Sequence, residues 1–180
     1  LNYRFLGDQS KFIDNMVSEL ENGIITALIL VMAVLFFTMG LRNSLFVAFA
    51  IPASMLLGML ALAALGFTLN MIVLFSLILV LGMLVDNAIV IIENIYRHLE
   101  MGKSALEASI EGTQEVAMAV AASTATTVVA FLPMVFWGGI MGQFMGYLPK
   151  TVIIVLLASL VVAVVVLPVA TARYMRLGST

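Results

Sequence analysis

The sequence predicts an all-α, polytopic membrane protein: a bundle of five transmembrane helices, with a short cytoplasmic amphipathic helix between the third and fourth spans. Three observations predict it. The 180 residues are 63% hydrophobic and only 10% charged, where a soluble domain carries about 25% charged residues. Mean hydropathy is +1.20. The apolar residues also fall into five runs, each separated from the next by short polar or glycine-rich stretches. The last run is dense in valine, yet a strand there is excluded, because an open strand edge leaves backbone groups unpaired in lipid.

Each element has its own justification. Residues 1–22 are polar with an apolar stripe, Phe12, Ile13, Met16, Val17 and Leu20, at helical spacing, which reads as an amphipathic lead-in. The bundle occupies residues 23–173, with spans at about 24–39, 45–65, 69–98, 116–137 and 149–172, and residues 174–180 form a cytoplasmic tail. Pro52 is tolerated inside the second span because neighbouring helices and water re-satisfy freed carbonyls. A third span of this length reaches roughly 45 Å, against about 30 Å of hydrocarbon, so it tilts or projects into water; the charged groups crowding its end, Glu93, Arg97, His98 and Glu100, favour projection. Gly102 is its stop signal. Ser104 and Glu107 have the spacing of a capping box, and Glu107, Glu111 and Glu115 make the following short helix acidic. Pro133 is expected to kink the far end of the fourth span.

Several functions are excluded. Eight Lys and Arg, scattered at segment ends, supply no basic field for nucleic acid. There is no cysteine and a single histidine, His98, so no cofactor or metal centre is expected. Thirteen methionines include pairs such as Met55 with Met59, and thioethers bind soft ions such as Cu(I), but gap-filling is the plainer role for methionine. No nucleophilic triad, phosphate loop or zinc spacing is present, so the chain is not expected to be an enzyme.

The residue that needs explaining is Asp86, near the middle of the third span. A carboxylate there costs roughly 2.5–3.5 kcal/mol on insertion scales. Either it takes up and releases a proton, or it stays protonated and donates to a neighbouring helix. Arg97 lies roughly 16 Å further along the helix axis and cannot pair with it. Asn87 stands beside it. Glu93 and Asn94 are seven residues from Asp86 and Asn87 respectively, so each pair shares a face. The two amides either hold Asp86 or bond across helices. Ser123, Thr124 and Thr127 either line a wet path to Asp86 or let helices pack closely.

The run Gly66-Phe67-Thr68-Leu69-Asn70, the run from Gly82 through Val85-Asp86-Asn87-Ala88-Ile89-Val90 to Glu93-Asn94, and the later Ser123-Thr124-Ala125-Thr126-Thr127, Phe131-Leu132-Pro133, Gly138 and Gly142-Gln143-Phe144 resemble the resistance–nodulation–division (RND) efflux transporters. Among these they are most similar to the hydrophobe/amphiphile branch of bacterial inner membranes. The resemblance implies the second to sixth transmembrane helices of the first half of such a pump, with residues 1–22 including the end of a periplasmic subdomain. It implies proton antiport driving export of hydrophobic or amphiphilic compounds. Asp86 matches the first acid of the family's paired acids, and Asn87 stands where the second usually is. The partners implied are the rest of the transporter (a second transmembrane half and periplasmic porter domains), a homotrimer, a periplasmic adaptor and an outer-membrane channel. A chain starting at Leu1 rather than Met reads as a piece of such a longer protein. The alternatives are a sterol- or lipid-sensing five-helix domain, a protein-translocation accessory of the same superfamily, and a heavy-metal exporter.

Basic residues set the orientation. With the N-terminus outside, Arg42, Arg97, Lys103, Arg173 and Arg176 lie inside, and Arg4, Lys11 and Lys150 outside. Cysteine labelling of the full-length protein checks this: Lys103→Cys is expected to react only from the cytoplasm and Gly139→Cys only from the periplasm. The reverse pattern inverts the topology.

Overall fold

In lipid, every helix end must find partners for its last backbone groups, and the elements begin and stop where this sequence supplies them. The structure, a computed structural model, describes residues 9–139, 142 and 145–175, without the side chains of residues 9, 38, 39 and 41–43. Its helices are α1 (Gln9–Met39), α2 (Leu41–Ala64), α3 (Met71–Glu100), α4 (Ala105–Val135), α5 (Tyr147–Val161), a π-helical turn (Val162–Val166) and α6 (Leu167–Tyr174). The last three are one continuous span, so five helical rods are long and apolar enough to cross a membrane.

Asn70 caps α3, its side-chain oxygen accepting from the backbone N–H of Ile72 and Val73 at 3.0 Å each. The helix ends at Gly102, whose φ of +87° lets Lys103 N donate to His98 O and Gly102 N to Leu99 O. Ser104 and Glu107 form the expected capping box of α4. The short acidic helix is not a separate element, however. Residues 105–115 are the first turns of α4, since Gly112 and Thr113 stay helical. The lead-in is likewise continuous with the first span: Asn22 and Gly23, between Leu20 and Ile24, stay helical. Expectations for residues 1–8, Gln143, Phe144 and the tail beyond Met175, and for the side chain of Arg42, lie outside the described residues.

Gly112 is explained by packing. A Cβ placed there would stand 2.8 Å from Ile95 Cα and 3.0 Å from Ile95 N, so only glycine lets α4 touch the backbone of α3. The π turn has an equally local cause. Pro168 lacks an N–H and its ring crowds the carbonyl four residues back, at Val164. The turn widens, and Leu167 N reaches Val162 O.

Helix α3 is the centre of the bundle, packing against every other rod. Two apolar clusters surround it. The first joins Leu77, Leu81 and Leu84 of α3 to Met16, Met55 and Val155. The second joins Ile91, Ile92 and Ile95 to Val47, Val120 and Leu167. Asp86 and Asn87 sit at the level where one gives way to the other.

Replacing Gly112 by alanine tests the contact between α3 and α4. Helix propensity alone would favour alanine by about 0.8–1 kcal/mol. The clash is with rigid backbone, so a net loss of about 1–3 kcal/mol is expected, read as a lower Tm of the purified full-length protein.

Candidate functional site

The outward stripe of α3 is apolar at Phe75, Leu79 and Val90 and also carries Gly82, Asp86, Glu93 and Arg97, all exposed in this bundle. Helical spacing puts these residues in one row, so Asp86 opens onto a face of α3 that no described helix covers. Beside it is a small cavity of about 110 Å³, lined by Met83, Asp86 and Asn87 of α3, Ser123, Thr124 and Thr127 of α4, and Leu156 of α5.

The local hydrogen bonding fixes how these groups present themselves. Asn87 and Thr124 are buried, and Thr124 Oγ1 donates to Asn87 Oδ1 at a long 3.4 Å. Thr127 Oγ1 donates to its own helix, at Ser123 O, 3.2 Å away. Ser159 Oγ of α5 donates to Leu84 O at 3.0 Å, tying the third helix of the pocket to α3 two residues before Asp86. Among the described residues Asp86 forms no ion pair. Five of the sequence-predicted site residues therefore meet in one pocket: Asp86, Asn87, Ser123, Thr124 and Thr127.

Glu93 and Asn94 are not in that pocket. Glu93 is exposed further along the α3 stripe. Asn94 is buried and faces the polar start of α4, where its Nδ2 donates to Gly112 O at 2.7 Å and to Glu115 Oε2 at 3.1 Å. It belongs to a second cluster. Glu115 accepts two contacts of 2.8 Å from Arg97 Nη2 and one of 2.7 Å from His98 Nε2. Lys103 Nζ lies 2.8 Å from His98 Nδ1 and also bonds Glu111. An ammonium only donates, so His98 Nδ1 accepts and Nε2 carries the proton given to Glu115. This clasp joins the charged ends of α3 and α4. Ser109 and Thr171, whose hydroxyls are 2.9 Å apart, attach α6 to the same end.

Sequence reasoning missed the clasp and the part played by α5. A signal for the clasp existed: acids at 107, 111 and 115, one helical turn apart, follow directly on Arg97, His98 and Lys103. Ser159 was the lone hydroxyl in the apolar run of α5 after Thr151 and could have been singled out on that ground. Among the described residues no group of three His, Asp or Glu is placed to hold a metal ion.

Five apolar rods with one carboxylate at mid-span, beside a polar cleft, define a multi-pass membrane protein with an ionisable group at the depth of the bilayer. Residues 1–179 match the AcrB/AcrD/AcrF family, and the chain belongs to that family, the RND multidrug efflux transporters. It is thus a multi-pass protein of the bacterial inner membrane, in a family of transporters rather than enzymes. The chain is 33% identical over 177 residues to multidrug resistance protein MdtC of Pantoea ananatis, which covers 98% of this chain and 17% of that protein. The same-named protein of Pectobacterium atrosepticum is 34% identical over 170 residues, 94% of this chain and 17% of its own length. That of Salmonella arizonae is 36% identical over 163 residues, 89% of this chain and 16% of its own length. The chain therefore spans about one sixth of the relatives it matches.

The two clusters predict different mutant behaviour. Asn94→Ala removes a donor from Glu115 and from Gly112 O, and is expected to lower stability by about 1–3 kcal/mol while leaving the pH profile of transport by the full-length protein unmoved. Thermal unfolding together with a pH-dependent flux assay checks both halves.

Proposed function

We propose that this chain is the ion-coupling part of a proton-driven efflux transporter, and that Asp86 is the group that takes up and releases the proton. The observation that carries this reading is the pairing of an otherwise costly mid-span carboxylate with a pocket of hydroxyl and amide groups at the meeting point of α3, α4 and α5. An ionised carboxylate in that setting is tolerated only with a compensating partner, and a protonated one without it. Switching between the two changes what the uncovered face of α3 can lie against.

In this reading the proton moves inward and its free energy, about 2.3 kcal/mol per 100 mV for one charge, biases two helix packings that are close in energy. Asn87 and Thr124 hold the carboxylate's surroundings; Ser123 and Thr127 keep the pocket polar enough for water. Glu93 lies further along the exposed stripe and serves as a way station toward the cytoplasm. Asn94 supports the relay only indirectly, by fixing α3 against α4. The positive counter-group of Asp86 comes from a part of the transporter outside this chain and approaches the open face of α3.

The work done is export of hydrophobic or amphiphilic compounds. The relatives' printed role in multidrug resistance supports this over sterol sensing, protein translocation or metal export. The working assembly is a homotrimer with periplasmic porter domains, joined by a periplasmic adaptor and an outer-membrane channel.

The test is Asp86→Asn in the full-length protein. It is expected to abolish proton-coupled export and drug resistance of cells while membrane insertion and trimer assembly are retained. Resistance that survives the substitution overturns the assignment of Asp86.

A further inference from the structure

We propose that His98 is a second proton-binding site, separate from Asp86, and that proton uptake there exchanges Lys103 for Glu111 as the partner of its Nδ1 and frees the turn at Gly102. The site is built by residues of α3, α4 and the turn between them, and it does not depend on what covers the outer stripe of α3. His98 lies roughly 18 Å beyond Asp86 along the helix axis.

Geometry is the first argument. The His98 side chain is buried, 9% exposed, and charged groups stand at both of its ring nitrogens. Nε2 lies 2.7 Å from Glu115 Oε2. Nδ1 lies 2.8 Å from Lys103 Nζ and 4.0 Å from Glu111 Oε2, and Lys103 bonds that same Glu111 oxygen. Glu115 also accepts from Arg97 and Asn94, the behaviour of an ionised carboxylate, which only accepts. The imidazole therefore has one carboxylate bonded on one side and a second just out of reach on the other, with a lysine wedged between.

The chemistry of the ring is the second. A neutral imidazole donates at one nitrogen and accepts at the other, whereas a protonated one donates at both. With the Lys103 ammonium donating to Nδ1, the ring is neutral. A proton taken up at Nδ1 leaves nothing there to accept from the ammonium and sets two positive charges side by side, so Lys103 withdraws. Glu111 Oε2, at 4.0 Å, is about 1 Å outside normal bonding distance and takes the new N–H. The bond from Nε2 to Glu115 is kept and strengthened, since a charged donor now meets a charged acceptor. The two helices stay clasped while the turn that joins them loses its side-chain tie. The turn then depends on its backbone bonds, Gly102 N to Leu99 O and Lys103 N to His98 O.

The surroundings are the third. On α3, Arg97 precedes His98 and Glu100 follows it, both exposed. On α4 the charged groups are Glu107, which is spent on the capping box with Ser104, and Glu111 and Glu115. On the last span Arg173 lies over the Tyr174 ring, and α2 carries no charge among its described side chains. Histidine is the side chain that ordinarily changes charge between pH 5 and 8, and protonation of histidines at contacts between elements is a recurrent switch. Arg97, Lys103 and Arg173 gather at this end, which the excess of basic residues assigns to the cytoplasm. The site therefore responds to the pH of the compartment into which the transported proton is released.

The experiment uses the purified full-length protein. Nitrogen-15 NMR of labelled histidine follows the ring, with the His98 signal assigned by its loss in His98→Gln. A nitroxide on Met101→Cys, an exposed position beside the turn, follows the turn by EPR. Between pH 8 and pH 5, Nδ1 is expected to gain a proton and the label to become about twofold more mobile, reversibly. The midpoint of the His98 titration is expected about one pH unit higher in Lys103→Met, which removes the repelling charge, and about one unit lower in Glu111→Gln, which removes the attracting one. The mobility step is expected to vanish in His98→Gln and to persist in Asp86→Asn. A ring that stays neutral across this range overturns the proposal, as does a ring that titrates with no change in the label or with a midpoint that neither substitution moves. A step that survives in His98→Gln assigns the switch to another group, and one that is lost in Asp86→Asn removes the separation from the relay; either result also overturns it.

Discussion

A carboxylate at the middle of a transmembrane helix has few ways to exist, and the arrangement around Asp86 follows from that restriction. Hydrocarbon offers it no hydrogen bonds, and its ionised form needs a compensating positive charge or a polar cleft. Among the described residues the chain supplies the cleft and no cation within it. Hydroxyls from α4 and an amide from α3 gather on one side of Asp86, while the other side stays open. The apolar clusters above and below are complete without it. The polar seam is therefore confined to one layer of the bundle, and the layers around it are built to hold three helices in register.

Two attachments keep that layer in place. Near the pocket, Ser159 of α5 bonds the backbone of α3 at Leu84, and the small Thr124 side chain meets Asn87. At the charged end, Arg97, His98 and Asn94 converge on Glu115, and the backbone of α4 reaches that of α3 at Gly112. Exposed ion pairs contribute little singly, but here they share one carboxylate with a buried amide and a buried imidazole. The π turn before Pro168 lies between the part of the last span tied to α3 and the part tied to α4. The span can thus follow both neighbours without breaking its backbone bonding.

Much of this was legible in the residues. The five spans, the capping box at Ser104, the stop at Gly102 and the cost of an acid at Asp86 follow from hydropathy, turn chemistry and the cost of charge in lipid. Helical spacing also grouped Glu93 with Asp86 and Asn94 with Asn87. It could not say that Asn94 turns away from the pocket, because a face on a helix wheel is wide enough to serve two neighbours. Nor could it say that residues 105–115 continue into the fourth span, since Gly112 reads as punctuation in a sequence and acts as a contact point in a packed pair.

The sequence by itself determined the class, the number of spans and the one costly acid. These depend on the free energy of moving each residue from water to hydrocarbon, which is a property of the residue and its near neighbours. Only the tertiary structure decided which polar side chains share a pocket with Asp86, which are spent holding α3 to α4, and which face of α3 is left open. Those choices depend on how the rods rotate and cross, and rotation is set by contacts between residues far apart in the chain, such as Gly112 with Ile95 and Ser159 with Leu84.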